Sequence, residues 1–503
     1  MSNGEIEAQA NDELRPADGH SECVFCGQDY DFELPLSLVQ AAKQGRLVIF
    51  AGAGISTETS RVFPSTFYEE IKSQLPDDSA PEEFPAVMSA YEEIYGRLQL
   101  VQQAITRIRY AETFPAVEYA AARFHRELAT IYQIREIITT NWDGFFEDVC
   151  GAIPIVVDGD YAFYELPDRK VYKIHGSLRN VSTVVATTQD YRQAEESLRK
   201  SAVGGTLRHL LATKVVVFVG YSLRDADFRN VYEPLMQGMG KLRPVSYFVG
   251  PYDSDEAAAL GLRHLKTDGT HFVRSLKAHL VNGGALLPDE VIDRARALRG
   301  VVGLAHDLTA DMDWRSHPEI VFSLAYQDGL LDSLNRIAAR WITGEYTDAQ
   351  RVQDSYHSYG HLLHTAVHRE RFWDAAYIDG YRDGIMVLLL EDGADVKHLP
   401  IYEFFNDPFF HGPAEPSSKP DGDEDAESNP LEPEGDVDGE GEEDAEEQVL
   451  PRLLSQDELL ELLDGVFQEI PALEGEARKI AEGMSEGIIP QHTPFLNGVL
   501  DPE

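Results

Sequence analysis

Between residues 35 and 280 short apolar runs recur, and enough chain lies between them to form helices. This spacing constrains the fold more than any other feature of the chain. The runs are Arg46-Leu-Val-Ile-Phe50, Glu136-Ile-Ile-Thr139, Val171-Tyr-Lys-Ile174, Val215-Val-Val-Phe-Val219 and Val245-Ser-Tyr-Phe-Val249. Short, nearly continuous apolar runs bounded by turn residues are the pattern of strands buried on both faces, and such strands belong to parallel sheets covered by helices. Residues 65–133 read as mostly helical, with Tyr91, Ile94, Leu98 and Val101 at helical spacing. The expectation is therefore an α/β fold: a doubly wound, mostly parallel, Rossmann-like sheet with a helical insertion, followed by an α-helical C-terminal region.

The chain has 503 residues, 43% of them hydrophobic, which is enough for two or three cores. Its organisation reads as a polar extension over 1–34, the α/β domain over 35–283, and a helical domain over 284–412. An acidic linker follows over 413–449, then an amphipathic helix and tail over 450–503. The linker is almost entirely Asp, Glu, Gly, Pro and Ser, too poor in apolar area to offset the entropy of ordering it. It reads as a solvated, disordered spacer. Beyond it, Ser455-Gln-Asp-Glu458 has the form of a capping box, and Leu459, Leu463, Val466 and Ile470 would line one face of a helix able to dock on its own chain.

The net charge is −44, and about half of the excess lies beyond residue 410. A surface of that sign repels phosphate backbones, so direct nucleic-acid binding is not expected. It fits a strongly soluble protein or one adapted to high salt. No apolar run approaches the ~18 residues of a membrane span, and the polar, acidic start of the chain lacks the form of a secretory signal. With only Cys23, Cys26 and Cys150, a disulfide framework is not expected, and a reducing cytoplasm is the natural location.

Four of the apolar runs end in residues suited to ligand chemistry. After the first comes Gly52-Ala-Gly-Ile-Ser56, where glycines would let backbone approach a diphosphate and a following helix would offer free N–H groups. After the second comes Thr139-Thr-Asn-Trp-Asp143. Asn141 could hold ribose hydroxyls or a water there, and Asp143 could accept from an amide or cap the next helix. After the third comes His175-Gly176, a simple turn or an imidazole placed in the same crevice for proton transfer. After the fourth, Val215–Val219, comes Gly220-Tyr-Ser222, able to hold phosphate or ribose or to start a helix.

In order and type these four motifs resemble the sirtuin-like, or silent-information-regulator-like, NAD-consuming family. With their flanking elements they span roughly half the chain. The resemblance implies NAD as the substrate. Gly52, Ala53, Gly54, Ser56 and Thr140 would line its phosphate and ribose pocket, and Gly220 and Ser222 would close it. Asn141 would position the ribose and the attacking water, Asp143 would contact the nicotinamide amide, and His175 would be the general base.

Protein-deacylating members carry a four-cysteine zinc ribbon after the His-Gly motif, whereas residues 176–219 hold no cysteine. The Gly-Ile-Pro-Asp-Phe-Arg pattern is absent too. Thr188-Gln-Asp-Tyr191 and Gly220-Tyr-Ser-Leu-Arg-Asp-Ala-Asp-Phe228 are instead similar to the prokaryotic branch found in defence systems. The resemblance thus implies an NAD hydrolase that yields nicotinamide and ADP-ribose, an effector in antiphage defence. It implies a homo-oligomer, with an ATPase or a phage-derived trigger as the kind of activating partner. The alternatives are a deacylase or ADP-ribosyltransferase, and a non-catalytic NAD-binding or assembly module.

No metal is expected. Cys23 and Cys26, three and six residues after His20, have the spacing of half a zinc site without the other half. His357, His361, His364 and His368 would share one helical face, better suited to an interface or a pocket lining than to a metal.

Overall fold

The computed structural model describes residues 32–76, 81–311, 313, 315–318, 320–390 and 472–485. The acidic linker, the Cys23/Cys26 pair and the helix expected after Ser455 lie outside the described residues. The chain divides into two compact units. The first runs to Pro288 and takes in Arg340–Gln350; the second comprises Asp289–Ala339 and the residues from Arg351 onward.

The first unit is built on a parallel sheet of seven strands: β1 (Leu47–Ala51), β2 (Glu136–Thr139), β3 (Ile153–Ile155), β4 (Lys170–Lys173), β5 (Val215–Val219), β6 (Tyr247–Val249) and β7 (Arg263–Leu265). Their spatial order is β3-β4-β2-β1-β5-β6-β7. From β1 the chain passes through β2 to the edge strand β3, returns to insert β4 between them, then crosses to the other side of β1 and winds outward through β5, β6 and β7. The doubly wound expectation holds, and each apolar run forms a strand to within a residue or two. The register places Phe50 beside both Ile138 and Phe218, with Ile138 beside Tyr172.

Alternation along the strands divides the core between two faces. Ile49, Ala51, Ile137, Val217 and Val219 meet α1 (Leu36–Lys43), α6 (Arg123–Ala129) and α12 (Gly269–Asn282) on one side. Val48, Phe50, Ile138, Tyr172, Val216 and Phe218 meet α8 (Thr188–Lys200), α9 (Ala202–Thr213) and α10 (Ala226–Met239) on the other. All five residues of β1 are buried, as a central strand requires.

Strands β3 and β7 have no counterpart among the expected strands. Each has three residues and lies at an edge of the sheet, where one side of the backbone needs no partner. There Pro154 is tolerated, and the exposed Arg263 breaks the apolar signal.

The helical insertion consists of α2 (Phe67–Ser73), α3 (Phe84–Tyr95), α4 (Arg97–Thr113) and α5 (Pro115–Ala121). A capping box between Thr66 and Glu69 starts α2, and Pro85 stands in the first turn of α3. The inward faces of α2–α4 (Phe67, Ile71, Val87, Met88, Tyr91 and Leu100) enclose a core that also receives Trp142, Leu178, Val184 and Ala186. These last four come from the loops after β2 and β4, so the insertion is seated at the carboxyl ends of the strands.

The remaining segment of the first unit, Arg340–Gln350, returns after an excursion through the second. Thr347 donates its hydroxyl to the Thr130 carbonyl at 2.7 Å, and its own carbonyl accepts from the Leu287 amide at 2.8 Å.

The second unit is helical: α13 (Glu290–Ala310), α14 (Ile320–Arg340), α15 (Ala349–His368), α16 (Phe372–Met386) and α17 (Ala472–Ser485). Helices α14 and α16 approach until backbone meets backbone, because a Cβ on Gly329 would lie 1.9 Å from the Tyr377 carbonyl and one on Gly380 1.9 Å from that of Tyr326. Glu476 of α17 accepts the free Phe372 amide at the start of α16, at 3.0 Å. No described helix is long and apolar enough to cross a membrane.

Candidate functional site

In an open parallel sheet, ligands bind beyond the carboxyl ends of the strands where the winding reverses. Here that point lies between β1 and β5, and the loops after β1, β2, β4 and β5 all open onto it.

The loops after β1 and β5 are pressed together. The Gly52 amide donates to the Val219 carbonyl at 3.0 Å and that of Gly54 to the Gly220 carbonyl at 2.9 Å. A Cβ on Gly52 would stand 2.5 Å from the Gly220 oxygen, and one on Gly220, whose φ is +60°, would stand 2.5 Å from the Ile55 nitrogen. The glycines thus permit a close backbone approach and the left-handed turn after β5. The element following β1 is not the expected helix start. It is one 3₁₀ turn, Ala53–Ile55, and the amides of Ile55 and Ser56 bond within it to Gly52 and Ala53. The local hydrogen bonds that close so short a turn consume the N–H groups a longer helix would leave free. Ala53 is half-buried beside it, and Gly54 is exposed.

Ser56, at the end of this turn, is wholly buried. It donates to Asp143 Oδ2 at 3.1 Å and accepts from Asn141 Nδ2 at 3.4 Å, which ties the first and second motifs together. Asn141 and Asp143 are each 3% exposed, so both must find their partners inside the protein or on a ligand. The Asn141 amide nitrogen of the backbone bonds to Thr139 Oγ1 at 3.0 Å, and Thr139 in turn donates to the Ala51 carbonyl at 3.0 Å. The half-buried Thr140 extends the β1–β2 pairing through its amide, 3.3 Å from the same carbonyl. Asn141 Oδ1 is buried and has no partner in the chain.

Asp143 also accepts from the Phe145 amide at the start of α7 (Phe145–Cys150), at 3.3 Å. The capping reading and the site reading of this residue are therefore compatible. Burial raises its carboxyl above the usual range, against the opposing charge of Lys173. Lys173, the fully buried last residue of β4, donates to the Asp143 carbonyl and pairs with Glu147 at 3.0 Å. The sequence offered this lysine only as part of Lys173-Ile-His-Gly; its buried charge is legible only in three dimensions.

His175 lies two residues beyond the end of β4, and Gly176, at φ +81°, turns the chain away from it. The imidazole Nε2 lies 2.9 Å from Asp227 Oδ2 in the first turn of α10, and both side chains are buried. The ring of Tyr191, from α8, stands edge-on to it at 5.0 Å, and the Tyr191 hydroxyl donates to Asp225 at 3.0 Å. Burial works against a charged imidazole, but the carboxylates of Asp227 and Asp225 overcome it and raise His175 above the ordinary histidine range. Asp227 was not among the expected site residues. Its signal was present in Arg224-Asp-Ala-Asp-Phe228, two carboxylates at the opening of a helix whose N-terminus favours negative charge.

Ser222, by contrast, is exposed, and its hydroxyl accepts from the Arg224 amide at 3.4 Å within its own turn. Among the described residues no group of His, Cys, Asp and Glu has the arrangement of a metal site. The four histidines His357, His361, His364 and His368 do share α15, where all are exposed and the last two rings stack at 6.5 Å.

Doubly wound parallel sheets commonly bind their ligands where the polar groups gather at the reversal point. Residues 135–270 match the model of the SIR2-like domain. Two curated relatives are similar to it, both named NAD(+) hydrolase ThsA. The one from Cytobacillus dafuensis is 28% identical over 211 residues, 40% of each chain. The one from Enterococcus faecium is 25% identical over 199 residues, 38% of this chain and 40% of that protein. The chain thus spans about two fifths of the length of the curated relatives it matches.

Proposed function

We propose that this protein hydrolyses NAD to nicotinamide and ADP-ribose, as an effector of antiphage defence held inactive until a partner or an oligomer alters its crevice. The observation that carries the reading is the junction at Ser56, which hydrogen-bonds to both Asn141 and Asp143, with the Asn141 oxygen buried and lacking a donor. A buried acceptor without a partner costs about 1–3 kcal/mol, and a ribose hydroxyl or a bound water would satisfy it. The close-packed glycine loops of β1 and β5 fit a floor on which a flat, extended ligand could lie.

In this reading Asn141 orients the nicotinamide ribose and the incoming water, and Asp143, itself held by Ser56, receives the nicotinamide amide. Nicotinamide departs with the electron pair of its bond to ribose C1′. Water then adds to the oxocarbenium-like C1′, and His175 takes its proton. The loops carrying Gly52, Ala53, Gly54, Thr140, Gly220 and Ser222 would enclose the phosphates and ribose. Two relatives named NAD(+) hydrolase support water as the acceptor, as does a chain that lacks cysteines from 176 to 219.

The test is a time course of nicotinamide release by the full chain, alone and with an activating partner. Asn141→Ala and His175→Ala should each lower the rate by on the order of 100-fold or more. Release by either variant at the wild-type rate would remove the assignment, and a peptide-dependent product would redirect it to group transfer.

A further inference from the structure

We infer that Asp227 is the positioning residue of the site: it holds His175 as the Nε2–H tautomer, so that Nδ1 is the nitrogen that accepts the proton. The inference rests on the NAD-cleaving reading for its catalytic consequence and on the geometry alone for the pairing.

The pairing has three supports. His175 Nε2 and Asp227 Oδ2 are 2.9 Å apart, with side chains 4% and 1% exposed, so solvent does not compete for the bond. A buried carboxylate accepts and cannot donate, so the proton of a neutral imidazole lies on Nε2 and the lone pair on Nδ1. Finally, the imidazole is fixed from a second element. Tyr191 meets its edge at 5.0 Å and is itself anchored to Asp225, while Asp190, one residue earlier, accepts the amides of Ala186 and Thr187 and pairs with Arg97 at 2.7 Å. The titratable groups bearing on the ring are therefore Asp227 and Asp225 of the α10 start and Tyr191 of α8.

The consequence for the reaction is explicit. As the water oxygen bonds to C1′, its proton passes to Nδ1. The imidazolium so formed keeps its Nε2–H, donated as a hydrogen bond to Asp227, until solvent removes the proton from Nδ1. The carboxylate thereby stabilises a charge that develops during the reaction, the role an aspartate plays behind a histidine base in acyl-transfer enzymes. Because the same carboxylate raises the histidine above its ordinary range, the rate of the wild type should decline on the acid side as His175 becomes protonated. Without the carboxylate, burial favours the neutral ring, so that decline should move to lower pH even as the maximal rate falls.

The experiment compares wild type, Asp227→Asn, Asp227→Glu and His175→Ala as full chains. Nicotinamide release is followed from pH 5 to 9, and the His175 ring nitrogens are followed by ¹⁵N NMR, with His175→Ala assigning the signal. The expected result for Asp227→Asn is a kcat lower by on the order of 100-fold, KM little changed, and an acid limb displaced to lower pH. Its ring signal should lose the pure Nε2–H form, and Asp227→Glu should restore part of both. An acid limb in its original place, a loss confined to KM, or an unchanged tautomer would overturn the inference. If His175→Ala released nicotinamide as fast as wild type, the proposed base would fail, while the NMR arm would still decide the pairing.

Discussion

Lysine 173 offers the sharpest test of how the site is held. Its side chain has no exposure, and its ammonium links the Asp143 carbonyl to Glu147, whose side chain is 5% exposed. Lys173→Met keeps most of the stem and removes the charge. Glu147 is then a buried carboxylate without its cation, and the Asp143 carbonyl loses its donor. Removing one partner of a buried pair costs about 3–5 kcal/mol, and a value near the lower end, about 3 kcal/mol, is expected. For a unit of this size that corresponds to a Tm lower by roughly 6–12 °C, measurable by calorimetry or circular dichroism on the full chain. Lys173→Met/Glu147→Leu removes both charges and should recover about 2 kcal/mol, since a buried pair replaced by apolar groups is often neutral. The reasoning would be refuted by a single variant within about 1 kcal/mol of wild type, or by a double variant no more stable than the single.

Two further outcomes follow from the same structure. Gly220→Ala forces a Cβ into the left-handed region, 2.5 Å from the Ile55 nitrogen, and should cost about 3 kcal/mol through backbone strain and overlap, read as a lower denaturant midpoint. It should also weaken NAD binding, because the β1 and β5 loops would have to separate; calorimetric titration measures this directly. In the second unit, the close approach of His306 Nε2 to Asp328 Oδ1, 2.9 Å, raises the histidine above its ordinary range despite partial burial. A histidine raised on folding contributes stability in full below its unfolded pKa of about 6.5, and the contribution disappears as pH rises through the folded value. The melting temperature of that unit should therefore fall from pH 6 to 8.5 in the wild type, and Asp328→Asn should flatten the dependence; equal slopes would exclude the pair as its source.

Much of the sheet was legible in the sequence. A four- or five-residue apolar run bounded by turn residues is too short for a helix and is readily buried as a strand in a helix-covered sheet, so β1, β2, β4, β5 and β6 declared themselves. The edge strands did not: Ile153–Ile155 contains a proline and Arg263–Leu265 is polar at its exposed end. At an edge it is pairing to a neighbour, not composition, that makes a strand. The polar residues after each strand were likewise visible, because a doubly wound sheet brings those loops to one crevice.

What the tertiary structure alone decided is which of these residues meet. Linear order could not assign Ser56 to Asp143, 87 positions away, or His175 to Asp227, 52 away, nor show that the Ser222 hydroxyl bonds within its own turn. It suggested a helix after Gly52-Ala-Gly54, where the approach of Gly220 leaves room for one 3₁₀ turn. Strand formation depends on the apolar character of a few consecutive residues, which the chain carries locally. The pairing of buried polar groups depends on the few ångströms between loops, and those are set only when both faces of the sheet are packed.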